Sequence, residues 1–166
     1  MFDQPQKADR RKPLYTADQR ARRDASPWTL VQAVLAPLQF LVFAVSLFLV
    51  LRYLLTGQGL DVATASIVLK TFILYAIMIT GAIWEKEVFG KYLFADAFFW
   101  EDAFSMIVIF LHTLYLVMLL ASIGSPALQL TVALAGYGAY VINAAQFIWK
   151  LRLARLQPAS SLEAAA

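Results

Sequence analysis

The sequence predicts an all-α fold, a polytopic membrane protein built as a four-transmembrane-helix bundle with N-terminus and C-terminus cytoplasmic. Three observations predict it. Of 166 residues, 61% are hydrophobic and 15% charged, with a mean hydropathy of +0.66, whereas a soluble domain is about half apolar and a quarter charged. Four apolar stretches are each long enough to cross a hydrocarbon core of ~30 Å at ~1.5 Å per residue. Lysine and arginine gather at one end of those stretches, as they do on the cytoplasmic side of a membrane.

The elements follow in order. Residues 1–27 form a basic cytoplasmic arm carrying Lys7, Arg10, Arg11, Lys12, Arg20, Arg22 and Arg23, without the apolar run a signal peptide needs. Thr16 and Gln19 have capping-box spacing, which predicts a short basic helix over Asp18 to Asp24 on the membrane surface. Ser26 and Pro27 suit the N-cap and first residue of span one, about Trp28 to Leu55, with a kink at Pro37 and a stop at Thr56-Gly57-Gln58-Gly59. Span two runs from about Val62 to Trp84 and stops at Glu85-Lys86-Glu87. Span three runs from Asp102 to Ile123, where Gly124-Ser125-Pro126 turns the chain into span four, Ala127 to Trp149. Residues 150–166 form a cytoplasmic tail, and its ending, Leu162-Glu163 with three alanines, reads as a cloning remnant.

Orientation follows from charge. Twelve of the fourteen lysines and arginines lie in the arm, in the loop from Glu85 to Glu101, or at the C-terminal end; the others are Arg52, at the outer end of span one, and Lys70, inside span two. Lys70 is expected to snorkel outward. The absence of cysteine excludes disulfides, thiolate nucleophiles, iron–sulfur clusters and cysteine-ligated zinc, and a single histidine excludes bis-histidine haem within one chain. The net charge of +3 and pI near 9.3 point to anionic membrane lipid rather than nucleic acid, because the basic residues flank the spans.

The loop Glu85 to Glu101, EKEVFGKYLFADAFFWE, mixes Glu85, Glu87, Asp96 and Glu101, followed by Asp102, with Lys86, Lys91 and the rings of Phe89, Tyr92, Phe94, Phe98, Phe99 and Trp100. One reading is an interfacial aromatic belt with solvated charges. The other is a wall for a flat aromatic ligand, with carboxyls available for proton transfer. Beneath it, Gln39 and His112 lie roughly 15 Å from the cytoplasmic helix ends, with Asn143 and Gln146 somewhat shallower. Glu101, Ser105 and His112 fall within about 40° of one another on span three. These polar groups suit either interhelical hydrogen bonds or a site, and a neutral His112 suits axial ligation of a metal macrocycle.

At these residues the sequence resembles the vinyl bacteriochlorophyllide hydratases of bacteriochlorophyll biosynthesis in phototrophic bacteria. The resemblance rests on PLYT (Pro13 to Thr16), QRARRDASPWTLVQ (Gln19 to Gln32), LAPLQFLVF (Leu35 to Phe43), WEKEVFGKYLF (Trp84 to Phe94), FFWEDAFSM (Phe98 to Met106) and YVINAAQF (Tyr140 to Phe147). It implies a lyase of the bacterial inner or intracytoplasmic membrane, hydrating the C3 vinyl group of a chlorophyllide or bacteriochlorophyllide to 1-hydroxyethyl. No added cofactor is expected, the magnesium being part of the substrate.

Such hydration needs an acid to protonate the terminal vinyl carbon and a carboxylate to stabilise the resulting cation and take a proton from water. A poorly solvated carboxyl holds its proton to higher pH and can serve as the acid. Site reasoning assigns these roles to Glu85 or Glu87 and to Glu101 or Asp102, with acid and base left open. Gly81, one turn before Glu85, is expected to leave room for a ring. His112 is the candidate ligand to the substrate's magnesium. Phe94, Phe98, Phe99 and Trp100 would stack on the macrocycle, and Lys86, Lys91, Arg22 or Arg23 would pair with its propionate. Gln39, Asn143 and Gln146 are candidate binding residues. The alternatives are a non-enzymatic pigment carrier, which would need the aromatics and His112 but not the carboxyls, and a small transporter, disfavoured by the lack of an internal repeat. Small residues in span four, Gly136, Gly138, Ala144 and Ala145, permit close packing within the bundle or in a homo-oligomer. Other enzymes of the pigment pathway are plausible partners.

Overall fold

The computed structural model describes residues 14–155. Lys7, Arg10, Arg11 and Lys12 of the arm, and the tail from residue 156, lie outside the described residues. Five helices follow one another: α1 (Ala17–Ala25), α2 (Pro27–Thr56), α3 (Leu60–Phe89), α4 (Phe99–Leu120) and α5 (Pro126–Arg155). No strand occurs among the described residues. α2, α3, α4 and α5 are long and apolar enough to cross a membrane.

The helix boundaries follow local chemistry. Thr16 and Gln19 form the expected capping box: the Gln19 amide donates to Thr16 Oγ1 at 3.2 Å, and the Thr16 amide to Gln19 Oε1 at 3.0 Å. Ser26 caps α2, with Pro27 at a position where its missing N–H costs nothing. Gly57 and Gly90 end α2 and α3 with φ of 70° and 82°, a conformation that strains any residue with a Cβ. α3 therefore runs past its expected stop at Glu85-Lys86-Glu87, since glutamate and lysine are good helix formers and the first residue able to break the helix is Gly90. α4 begins three residues earlier than expected, at Phe99, which puts Glu101 and Asp102 in its first turn, where the helix dipole favours negative charge.

α2 and α3 form one antiparallel hairpin and α4 and α5 another; each is tightly packed within itself and more sparsely against the other. Large apolar side chains such as Leu30, Phe48, Leu55, Phe72, Phe110, Leu120 and Ile148 point outward, the surface expected of helices in lipid. Phe43, Val50, Ile67, Leu74, Val108, Leu130, Tyr137 and Tyr140 fill the interior. The buried polar groups lie mostly where the two hairpins meet. At one end of that seam, α1, the α3–α4 connection and the last turns of α5 come together.

Candidate active site

Glu85 from α3 and Glu101 and Asp102 from α4 are buried together at this end, 5%, 5% and 3% exposed. The Glu85 and Asp102 carboxyls lie within interaction distance of each other, so a proton shared between them would relieve the repulsion of two buried like charges. Above them the connection doubles back at Phe94, a bulky residue at φ 57°. That left-handed turn costs about 1–2 kcal/mol and aims two consecutive amides at the carboxyls. Phe94 N donates to Asp102 Oδ2 at 2.7 Å and Ala95 N to Glu85 Oε2 at 3.4 Å. Successive N–H groups of this kind form a nest for negative charge. No sequence signal marked this turn, since phenylalanine rarely adopts positive φ.

Glu101 is placed differently from its neighbour. Lys150 of α5 pairs with its Oε2, bonds the Ala97 carbonyl and lies 5.1 Å over the Phe98 ring. Lys150 thus offsets one carboxylate of the cluster and ties the α4 entrance to α5; sequence reasoning had counted it only as a topology signal. Glu87, also a catalytic candidate, accepts a hydrogen bond from Ser26 Oγ and is exposed, joining the start of α2 to α3. At 100° per residue it points away from Glu85.

The four candidate aromatics divide. Phe98 is buried in a cluster with Tyr15, Trp84, Phe89 and Phe147 that roofs the site. Phe94, Phe99 and Trp100 form an exposed aromatic edge beside Asp102, with successive rings about 5.5–5.7 Å apart. The arm completes the roof: Tyr15 stacks on Phe89 at 5.7 Å, and Arg23 lies 4.9 Å over its ring. Burial pushes the Tyr15 phenol above its usual 10.0, an effect partly offset by Arg23. A cleft of about 480 Å³ opens between arm and loop, lined by Leu14, Thr16, Gln19, Phe89, Lys91, Ala95, Asp96 and Ala97. Lys86 donates to the Gly90 carbonyl at 3.0 Å, Lys91 pairs with Asp96 at 3.1 Å, and Arg22 and Arg23 pair with Asp18 and Asp24.

Three residues have surroundings other than those expected. Lys70 does not snorkel: it is 0% exposed, donates to His112 Nε2 at 3.2 Å, and lies 4.3 Å over the Tyr140 ring and 5.2 Å over that of Tyr137. A helix interior with a hydrogen-bond acceptor and ring faces offers the amine more than a distant interface does. His112, also 0% exposed, donates from Nδ1 to the Val108 carbonyl at 2.8 Å, so neither nitrogen is free for a metal, and Gly136 packs against its ring. Gly81 does not open toward a ligand, because the Gln32 amide lies across it.

The polar layer beneath the carboxyls is brought together in part. Asn143 Nδ2 donates to Ser105 Oγ at 2.8 Å, and Ser105 donates to the Glu101 carbonyl at 2.9 Å. Gln39 Nε2 and Oε1, Asn143 Oδ1 and Gln146 Oε1 are buried without a partner.

Comparison with known proteins shows the family of the chain. No solved structure matches the chain. A 2-vinyl bacteriochlorophyllide hydratase of Rhodobacter capsulatus is 66% identical over 151 residues, covering 90% of this chain and 87% of the relative. One of Cereibacter sphaeroides is 69% identical over 144 residues, covering 86% and 89%. Residues 15–153, which include every carboxyl and polar group described above, match the family model of 2-vinyl bacteriochlorophyllide hydratase (BCHF). The chain belongs to the 2-vinyl bacteriochlorophyllide hydratase family.

Proposed function

We propose that this chain is a hydratase that adds water to the vinyl group of a chlorophyllide or bacteriochlorophyllide, giving the 1-hydroxyethyl derivative, with Glu85 as acid and Asp102 as base. The observation that carries this reading is that buried Glu85 and Asp102 meet under the Phe94 and Ala95 amides. The shorter amide bond goes to Asp102, which also sits at a helix N-terminus, whereas Glu85 lies in the last turns of α3, where the dipole disfavours a negative charge. Both effects leave the shared proton on Glu85.

The reaction then balances without an oxidant. Glu85 gives its proton to the terminal vinyl carbon, and the positive charge that develops on the carbon next to the macrocycle is stabilised by Asp102. Water forms the new C–O bond and loses a proton to Asp102. That proton passes from Asp102 to the neighbouring Glu85, restoring the starting state. Glu101, neutralised by Lys150, keeps the local field constant. The redox-neutral balance supports turnover without an added cofactor.

The exposed edge of Phe94, Phe99 and Trp100 offers faces for the macrocycle, and Lys91, which lines the arm–loop cleft, would exchange Asp96 for its propionate. This end of the bundle is assigned to the cytoplasmic side of the bacterial inner membrane, on the distribution of lysine and arginine. The test is incubation of the purified protein in detergent with chlorophyllide a and no cofactor, following the product by mass. A gain of one water with loss of the vinyl group is expected; bound pigment returned unchanged, with a bacteriochlorin failing as well, would replace the hydratase with a carrier.

A further inference from the structure

We infer that Gln39, Asn143 and Gln146 form the binding site for the reacting water, reaching from one helical turn beneath Asp102 up to its level. This rests on the hydratase reading and deepens it by locating the second substrate.

Gln39 is 1% exposed and neither end of its amide has a protein partner. A buried polar group left unpaired loses its hydration without compensation, and here one side chain leaves two such groups. Asn143, 9% exposed, uses its NH2 on Ser105 but leaves Oδ1 unpaired, and Gln146 leaves its Oε1 unpaired. For bundle stability alone, a leucine packed at position 39 would serve better than an unpaired glutamine amide.

Helix register brings these groups to one place. Phe43 of α2 packs on Tyr140 of α5, ring centroids 4.9 Å apart. The two helices are antiparallel, so one turn from that contact toward the carboxyl end Gln39 lies level with Asn143. The Asn143–Ser105 bond likewise sets α5 against α4, and three residues further along α5 and back along α4 Gln146 is level with Asp102. The polar atoms therefore step from Gln39 through Asn143 to the depth of the proposed base.

Their chemistry matches water. Three carbonyl oxygens accept and one NH2 donates, while a water offers two donors and two acceptors and needs about three partners when buried. No side chain in the layer is a titratable competitor for the proton. The layer lies at the seam between α2 and α5, where the two hairpins pack sparsely, so small separations of the hairpins admit a water without unfolding either.

The experiment uses the full chain in detergent with chlorophyllide a, in buffer containing methanol as an alternative nucleophile. Hydroxyethyl and methoxyethyl products are separated by mass. Asn143→Ala and Gln39→Ala enlarge the layer and remove its ligands. Each is expected to bind pigment as the parent does, to lower kcat roughly ten- to hundredfold with little change in KM, and to raise the methoxyethyl fraction about tenfold. A merely structural role would not change the choice of nucleophile. Gln39→Asn, which keeps the amide but withdraws it by one methylene, covers the case in which the alanine variant folds poorly; it too must lose kcat rather than KM. Variants that hydrate at the parental rate with the parental product ratio overturn the water site and leave the hydratase standing. A parent protein that makes neither product overturns the hydratase reading itself.

Discussion

Glu85 and Asp102, seventeen residues apart and on different helices, are buried together, and each takes a backbone amide from the same strained turn. The left-handed turn at Phe94 carries both of these amides. The turn is thus the piece that makes two glutamate- and aspartate-bearing helix ends into one proton-sharing unit.

Replacing either partner by its amide is expected to lower kcat by about 10²–10⁴. Glu85→Gln removes the acid and Asp102→Asn the base, while shape and most hydrogen bonds survive. Pigment binding, followed by absorbance in detergent, should stay within a few-fold of the parent. Full turnover in both variants would eliminate the mechanism, and Glu87→Gln serves as the control that retains activity.

The four long apolar helices were legible in the sequence because hydropathy and length decide them, and the caps at Thr16, Ser26 and Gly57 were legible because their residue types act locally. The lateral arrangement was not. Nothing in the pattern says that Lys150 turns toward Glu101 or Lys70 toward His112, since hydropathy ranks residues by depth and is blind to which helix a face meets. Helical periodicity does separate Glu87 from Glu85, two residues and about 200° apart. Reading that angle together with Ser26 at the facing helix end would have removed Glu87 from the candidates.

Lys150→Met is expected to destabilise the protein by about 2 kcal/mol or more, because Glu101 stays buried with its charge unpaired. Adding Glu101→Gln removes that charge and should recover most of the loss. Thermal unfolding in detergent gives both numbers. If the double variant is no more stable than the single one, Lys150 acts through the Ala97 carbonyl and the Phe98 ring instead.

Docking of the arm should weaken in alkali. Burial raises the Tyr15 phenol above 10.0, so folding favours its neutral form; the stabilisation is complete below pH 10 and declines as pH rises through the raised value. Protection of α1 from proteolysis should fall over that range. Tyr15→Phe should abolish this pH dependence and leave protection at neutral pH nearly unchanged, because the ring contacts with Phe89 and Phe98 do not need the hydroxyl.

His112 tests whether the substrate's metal is read by the protein. With Nδ1 on the Val108 carbonyl and Nε2 on Lys70, its ring has no free lone pair, and freeing one would strand a buried amine. His112→Leu should therefore lower stability by about 1–3 kcal/mol while leaving pigment affinity unchanged. The parent should also bind magnesium-containing and magnesium-free chlorophyllide with similar affinity. A tenfold preference for the magnesium pigment that disappears in His112→Leu would mean that His112 exchanges Lys70 for the metal when substrate enters, and Lys70 would then need a new acceptor. The rings of Tyr137 and Tyr140 lie closest to its amine, so Tyr140→Leu in that case should depress magnesium-dependent binding as well.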